Sequence, residues 1–182
     1  MEKLIIFSLL SIPIILLSWR SIFSFENHGF YRFFSWECIL WMTVSNVPFW
    51  FDDPFSPKQI IAWILLFAAI YYLLAGGFMM KKFGRAKKDD SREALFQFEK
   101  TTDLIDSGIF GRIRHPLYGS LILLTWGIYL KNTTLPLLLI SLFSTVLLYL
   151  TAKFDEKECI QYFGVKYTEY MKRTKMFVPF LF

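Results

Sequence analysis

The chain has 182 residues, of which 55% are hydrophobic and 20% aromatic, and its formal net charge is +5. That is more apolar surface than one water-soluble core needs, which excludes an ordinary soluble enzyme and reads as a single integral-membrane domain over residues 1–182. The basic excess does not point to nucleic acid, because it gathers in two segments that the topology sets beside an anionic membrane face.

Leu4 to Trp19 is the first apolar stretch, and without a small-residue cleavage pattern at its end it is expected to be a retained span. Phe33 to Trp50 is the second and carries one acid, Glu37, near its start. Ile60 to Met80 is an uncharged run long enough to cross a hydrocarbon layer of about 30 Å at about 1.5 Å per residue. Trp19, Trp36, Trp41, Trp50 and Trp63 fall mostly near the ends of these stretches, where aromatic side chains meet lipid headgroups. Residues 1–80 thus hold three expected spans.

Residues 81–115 form a long basic loop with Lys81, Lys82, Arg85, Lys87, Lys88, Arg92, Lys100, Arg112 and Arg114, whereas the preceding loop has Asp52 and Asp53. The asymmetry sets the long loop in the cytoplasm, the N-terminus outside and the C-terminus inside. Asp89 to Glu93 can cap a short helix through Phe98, so Lys81 to Lys100 reads as a lid or a solvated connector. Gly108 then marks a tight turn or a close approach of the backbone to a ligand.

Arg114-His115-Pro116-Leu117-Tyr118 follows. Proline belongs in the first turn of a helix, and the uncharged run from Leu117 to Leu130 is a fourth span, short for a full crossing. Lys131 to Thr134 joins it to a fifth, Asn132 to Ala152, as an antiparallel hairpin. The pair makes up residues 116–152. In the tail, residues 153–182, Cys159, Ile160, Phe163, Tyr167, Tyr170 and Met171 recur at the spacing of one amphipathic helix. The expected fold is all-α: a polytopic bundle of about five transmembrane helices with a C-terminal amphipathic cytoplasmic helix. Cys38 and Cys159 lack the companions a disulfide or metal centre requires, and no metal is expected.

A hairpin returns the start of the fourth span and the end of the fifth to one membrane face. Arg114 and His115 therefore become neighbours of Asp155 and Glu156. An Arg114–Asp155 salt bridge explains part of this cluster but leaves His115, Glu156 and Tyr118 without an account.

Gly108-Ile109-Phe110, Arg114 to Tyr118, the acidic pair Asp155-Glu156, and Phe163-Gly164 followed by Tyr167 and Tyr170 resemble the isoprenylcysteine carboxyl methyltransferase family and its phospholipid N-methyltransferase relatives. The resemblance covers roughly the last eighty residues; the N-terminal half is similar in hydropathy alone. It implies S-adenosylmethionine as cofactor and a membrane-associated, lipophilic or small-molecule methyl acceptor: a prenylcysteine-like carboxylate first, then a lipid amine or a small thiol. It also implies a cofactor pocket built from Gly108, Phe110, His115, Pro116, Tyr118, Asp155 and Glu156, with Arg114 and His115 as catalytic candidates. In that reading Asp155 and Glu156 receive the cofactor's ammonium. Arg114 or His115 meets its carboxylate or a ribose oxygen, and Tyr118 or Phe110 lies against adenine or sulfonium. The family pattern has two glutamates where this chain has Asp155-Glu156 and a leucine at Cys159. Aspartate is one methylene shorter, which makes Glu156 the expected stronger member.

Two other classes remain open at this level. Steroid 5-alpha-reductase-type membrane reductases share the Phe-Gly and spaced-tyrosine pattern and use NADPH, but the compact Arg114 to Tyr118 motif argues against them. A non-catalytic membrane protein would use the cluster as a polar knot between helices.

Overall fold

The computed structural model describes residues 1–84 and 103–179. Six α-helices run through the described residues: α1 (Glu2–Ser18), α2 (His28–Asn46), α3 (Pro57–Phe83), α4 (Pro116–Tyr129), α5 (Leu135–Phe163) and α6 (Val165–Arg173). Short 3-10 turns occupy Val47–Phe49 and Gly108–Gly111, and there is no strand among these residues. The all-α expectation holds. The expected helix from Asp89 to Phe98, and nearly all of the expected lid or connector, lie outside the described residues.

Local chemistry accounts for most of the helix ends. The Asn27 side chain caps α2 by accepting the Gly29 N–H at 2.7 Å, and α2 stops before Pro48, which cannot supply the next helical donor. Ser56 caps α3 by accepting the Gln59 N–H, with Pro57 in the first turn. Pro116 likewise begins α4, where its missing N–H leaves no helical bond unmade.

α3 lies against α4 and α2 against α5, with α4 and α5 adjacent and α1 applied to α2. The core joins Ile39 and Met42 of α2 to Leu66 of α3, Ile128 of α4 and Leu137 of α5. Small residues let α3 and α4 approach closely, as in other membrane helix pairs. A Cβ on Gly127 would stand 2.9 Å from the Leu66 side chain, and one on Gly76 would stand 3.2 Å from Pro116. Buried polar links reinforce the bundle: Ser35 and Ser144 hydroxyls meet at 3.0 Å, and Asn46 Nδ2 donates to the Ile128 carbonyl at 2.8 Å.

Leu9 and Leu16 of α1, Phe67 and Leu74 of α3, and Leu139 and Phe143 of α5 are exposed, as suits a bundle whose outer faces meet lipid. Among the described residues, α3 and α5 are long and apolar enough to cross a membrane, while α4 is apolar but only 14 residues long. About 20 residues suffice to cross the hydrocarbon. α5 has 29, so its segment from Asp155 onward projects past that layer.

The tail differs from the single amphipathic helix expected there. α5 continues through Asp155 and Glu156 to Phe163, and the chain then breaks at Gly164, with φ 60 and ψ −133, before the nine-residue α6. That conformation is open to glycine and strained for other residues. The apolar spacing runs on through the break, which is why periodicity alone reads it as continuous.

Candidate active site

The turn between α4 and α5 is short, so the N-terminus of α4 and the last turns of α5 return to one end of the bundle. Residues after α6 then lie along the segment before α4. Arg114 N–H donates to the Lys175 carbonyl at 2.8 Å, His115 N–H to Met176 at 3.1 Å, and Lys175 N–H to Arg112 at 3.0 Å. The Arg114 guanidinium adds bonds to the Thr174 and Met171 carbonyls, and Tyr170 Oη donates to the Phe110 carbonyl at 2.7 Å. Backbone donors that a helix start leaves unmet are thus satisfied by the tail, which holds the entire motif in place.

His115 is the hub. Its ring is buried between two carboxylates, with Nδ1 3.4 Å from Asp155 Oδ2 and Nε2 3.6 Å from Glu156 Oε1. Nε2 makes no hydrogen bond within the protein. Tyr118 stacks on the imidazole at 5.5 Å between centroids, and Phe177 packs at 6.3 Å. Burial disfavours the charged imidazole, but the adjacent Asp155 and Glu156 carboxylates outweigh it and hold the His115 pKa above its usual range.

The acids respond in kind. Burial pushes the Asp155 carboxyl up, yet His115, His28 and Arg32 bring it down to about 2. Burial acts the same way on Glu156, and His115, Lys153 and Arg114 bring that group to about 2. Burial and the Asp155 charge push the Cys159 thiol up, so it remains protonated and is no nucleophile.

A cavity enclosing about 890 Å³, its open mouth included, lies beside this cluster. Phe110, Arg114, His115, Pro116, Tyr118 and Asp155 line it, with Met80, Leu104, Ile105 and Leu117 giving an apolar flank. Two of the sequence-derived candidates stand elsewhere. Gly108, at φ 59, packs where a Cβ would meet the Met79 side chain at 2.9 Å. Glu156 turns away from the cavity into a buried pair with Arg114 Nε at 2.8 Å and Lys153 Nζ at 3.0 Å. Asp155, not Glu156, is therefore the acid of the pair that faces the cavity, because consecutive helical residues point about 100° apart.

Sequence reasoning missed Glu158, which lines the cavity together with Cys159, Phe163, Tyr167 and Tyr170. Glu158 lies three residues after Asp155, which on a helix means the same face, and that spacing was the available signal. It also missed His28, which meets Glu158 from α2, 130 positions away, and nothing in the sequence announces that contact. His28, Asp155 and Glu158 bring potential ligand atoms within 4.8 Å of one another.

No solved structure matches the chain. A family model described as phospholipid methyltransferase matches residues 58–164, more than half of the chain and the whole of α4 and α5. The match does not favour the reductase reading. The chain belongs to the phospholipid methyltransferase family, and that membership implies methyl transfer at a membrane.

Proposed function

We propose that the protein transfers a methyl group from S-adenosylmethionine to a membrane-associated, lipophilic acceptor. The observation that carries this reading is the cavity wall itself, where the Asp155 carboxylate and the His115 imidazole stand among the rings of Phe110, Tyr118, Phe163, Tyr167 and Tyr170. The donor set fits the cofactor. An ammonium needs a carboxylate, a ligand carboxylate or ribose oxygen needs an N–H donor, and adenine and a sulfonium both suit aromatic faces. His115 Nε2, buried without a hydrogen bond, is an N–H donor in want of an acceptor when the ring is protonated. The cofactor supplies an electrophilic methyl group when bound.

Arg114 acts in this reading by fixing the wall, since its guanidinium is committed to Glu156 and to tail carbonyls. Asp155 receives the ammonium, and His115 orients Asp155 while offering Nε2 to a ligand oxygen. The apolar flank of Met80, Leu104, Ile105 and Leu117 accepts the lipophilic chain. Alignment of the two reactants at about 3 to 3.5 Å then does much of the catalytic work.

The acceptor follows from proton accounting. A prenylcysteine-like carboxylate is ionised at neutral pH and needs no base. A lipid amine must first lose a proton, so it needs a base that a carboxylate acceptor does not. The family description favours a second reading, a phospholipid amine. Basic residues at this end of the bundle, among them Lys153, Lys157 and Lys166, favour a cytoplasmic site.

Incubating the purified protein in detergent with methyl-labelled S-adenosylmethionine and prenylcysteine, phosphatidylethanolamine or small-thiol acceptors tests the proposal. Label in a lipophilic acceptor supports it and separates the two readings. No label in any acceptor, together with no heat of cofactor binding, would sink it.

A further inference from the structure

The family match begins at residue 58, so α1 and α2 lie outside it. A residue of α2 nevertheless reaches the cavity's acidic wall. His28 is the first residue of α2 and is completely buried, at a helix end whose N–H groups carry partial positive charge. Its backbone N–H donates to Glu158 Oε1 at 3.2 Å, and its ring Nδ1 lies 3.0 and 2.9 Å from the two oxygens of the same carboxylate. Two polar groups of one residue converge on one acid. The start of α2 is itself firmly seated, since a Cβ on Gly29 would stand only 2.5 Å from Ser21 Oγ.

A plain pin between two helices has no reason to present its acid to a cavity. Glu158 does so: it lines the cavity, keeps 27% of its side chain exposed, and lies on the same face of α5 as Asp155. Two carboxylates side by side repel one another; His28 offsets part of that repulsion from the protein side, and a cation on the cavity side offsets more. A carboxylate has about four acceptor positions, so the contacts from His28 leave acceptor capacity on Glu158.

We propose that Glu158 is the second carboxylate that receives the cofactor's α-ammonium beside Asp155, and that His28 is a positioning residue that aims it. The inference rests on the cofactor reading above. An alkylammonium carries three N–H donors, more than one aspartate can serve well, and a two-acid wall answers that need. The N-terminal half of the chain thereby becomes part of the site.

Calorimetric titration of the full chain in detergent with S-adenosylmethionine, and with its analogue lacking the α-amino group, decides the matter. Glu158→Gln should weaken S-adenosylmethionine binding by roughly ten- to a hundredfold, the worth of a hydrogen bond to a charged group, and leave the deaminated analogue unaffected. His28→Leu should weaken the same ligand, and most of that loss should disappear in the Glu158→Gln background because it acts chiefly through that acid, the small remainder passing through Asp155, whose charge His28 also supports. Equal losses for both ligands, or additive losses in the double variant, would mean a merely structural tie and overturn the proposal. So would a loss of affinity on treatment with a chelator, which would place a metal among His28, Asp155 and Glu158. If His28→Leu does not fold, the contrast between the two ligands in Glu158→Gln still decides. Unmodified protein that binds no S-adenosylmethionine removes the cofactor reading and this inference together, whereas normal binding that Glu158→Gln leaves intact removes this inference alone.

Discussion

Arg114 Nε donates to Glu156 Oε1 at 2.8 Å although 42 positions separate the two residues, and both side chains are nearly sealed from solvent. Breaking a buried pair by removing one partner leaves the other charge uncompensated, at a cost of about 3 to 5 kcal/mol. Glu156→Ala is therefore expected to lower the melting temperature in detergent strongly. Asp155→Asn should lower it less, because Asp155 keeps 22% of its side chain exposed whereas Glu156 keeps 4%. A larger loss from Asp155→Asn would contradict the assignment of Glu156 to structure and Asp155 to the cavity.

His115 separates two acids and holds both below their usual pKa range. His115→Ala removes that restraint, so the pH below which cofactor binding fails should move upward as Asp155 becomes easier to protonate. The comparison is between binding isotherms of the two proteins from pH 7 down to pH 4. Parallel curves, displaced in affinity but not in pH, would show that His115 does not govern the Asp155 charge.

Stability itself should depend on pH in a stated direction. Asp155 and Glu156 have folded-state values lowered to about 2, so their contribution is complete above the unfolded values near 4 and is lost as pH falls toward about 2. His115 is raised, so its contribution is complete below its unfolded value of about 6.5 and is lost as pH rises through the raised one. The melting temperature should thus decline on both sides of a mildly acidic maximum. In Glu156→Gln the acid limb should flatten.

The proximity of Arg114 and His115 to the acidic pair was legible because a short turn between two apolar runs leaves the chain no other route. The division of labour inside that pair was legible in principle too, since neighbouring helical positions cannot share a face, whereas Asp155 and Glu158 must. The contact of His28 with Glu158 depends on how α2 packs against α5 and has no local pattern. The break at Gly164 was hidden for a different reason. Apolar residues recur at helical spacing on both sides of it, and only the backbone angles reveal that one helix has become two.

Gly164 supplies a prediction of its own. Its backbone angles are unfavourable for side-chain-bearing residues, while a Cβ there would meet nothing within 4 Å, so any effect of Gly164→Ala is backbone strain and not a clash. The expected cost is about 1 to 3 kcal/mol, and because α6 carries Tyr167 and Tyr170 into the cavity, cofactor affinity should fall with it. Gly127→Ala offers the contrast: its Cβ would stand 2.9 Å from Leu66, so it should destabilise the α3–α4 packing yet leave affinity intact in the fraction that folds. Equal effects of the two variants on affinity would argue that α6 has no special role at the cavity.

Lys131 tests the far end of the hairpin. Its side chain is buried, its Nζ stands 3.6 Å from the Trp63 ring centroid and donates to Gln59 Oε1 at 2.9 Å, and among the described residues no carboxylate pairs with it. Two opposed terms decide what a substitution does. The ammonium gains about 2 kcal/mol from a desolvated aromatic face, but it has surrendered its hydration, and that cost vanishes if the charge is removed. Lys131→Met, which keeps most of the stem, should therefore be nearly neutral. Trp63→Leu should be severe, because it leaves a buried cation facing aliphatic carbon and removes a large ring as well. In the double variant the Trp63→Leu penalty should shrink by about 2 kcal/mol, the coupling that the ring contact implies. Chemical unfolding of the four proteins in one detergent measures that coupling, and strict additivity would show that the contact between Lys131 and Trp63 contributes nothing to seating the α4–α5 turn on α3.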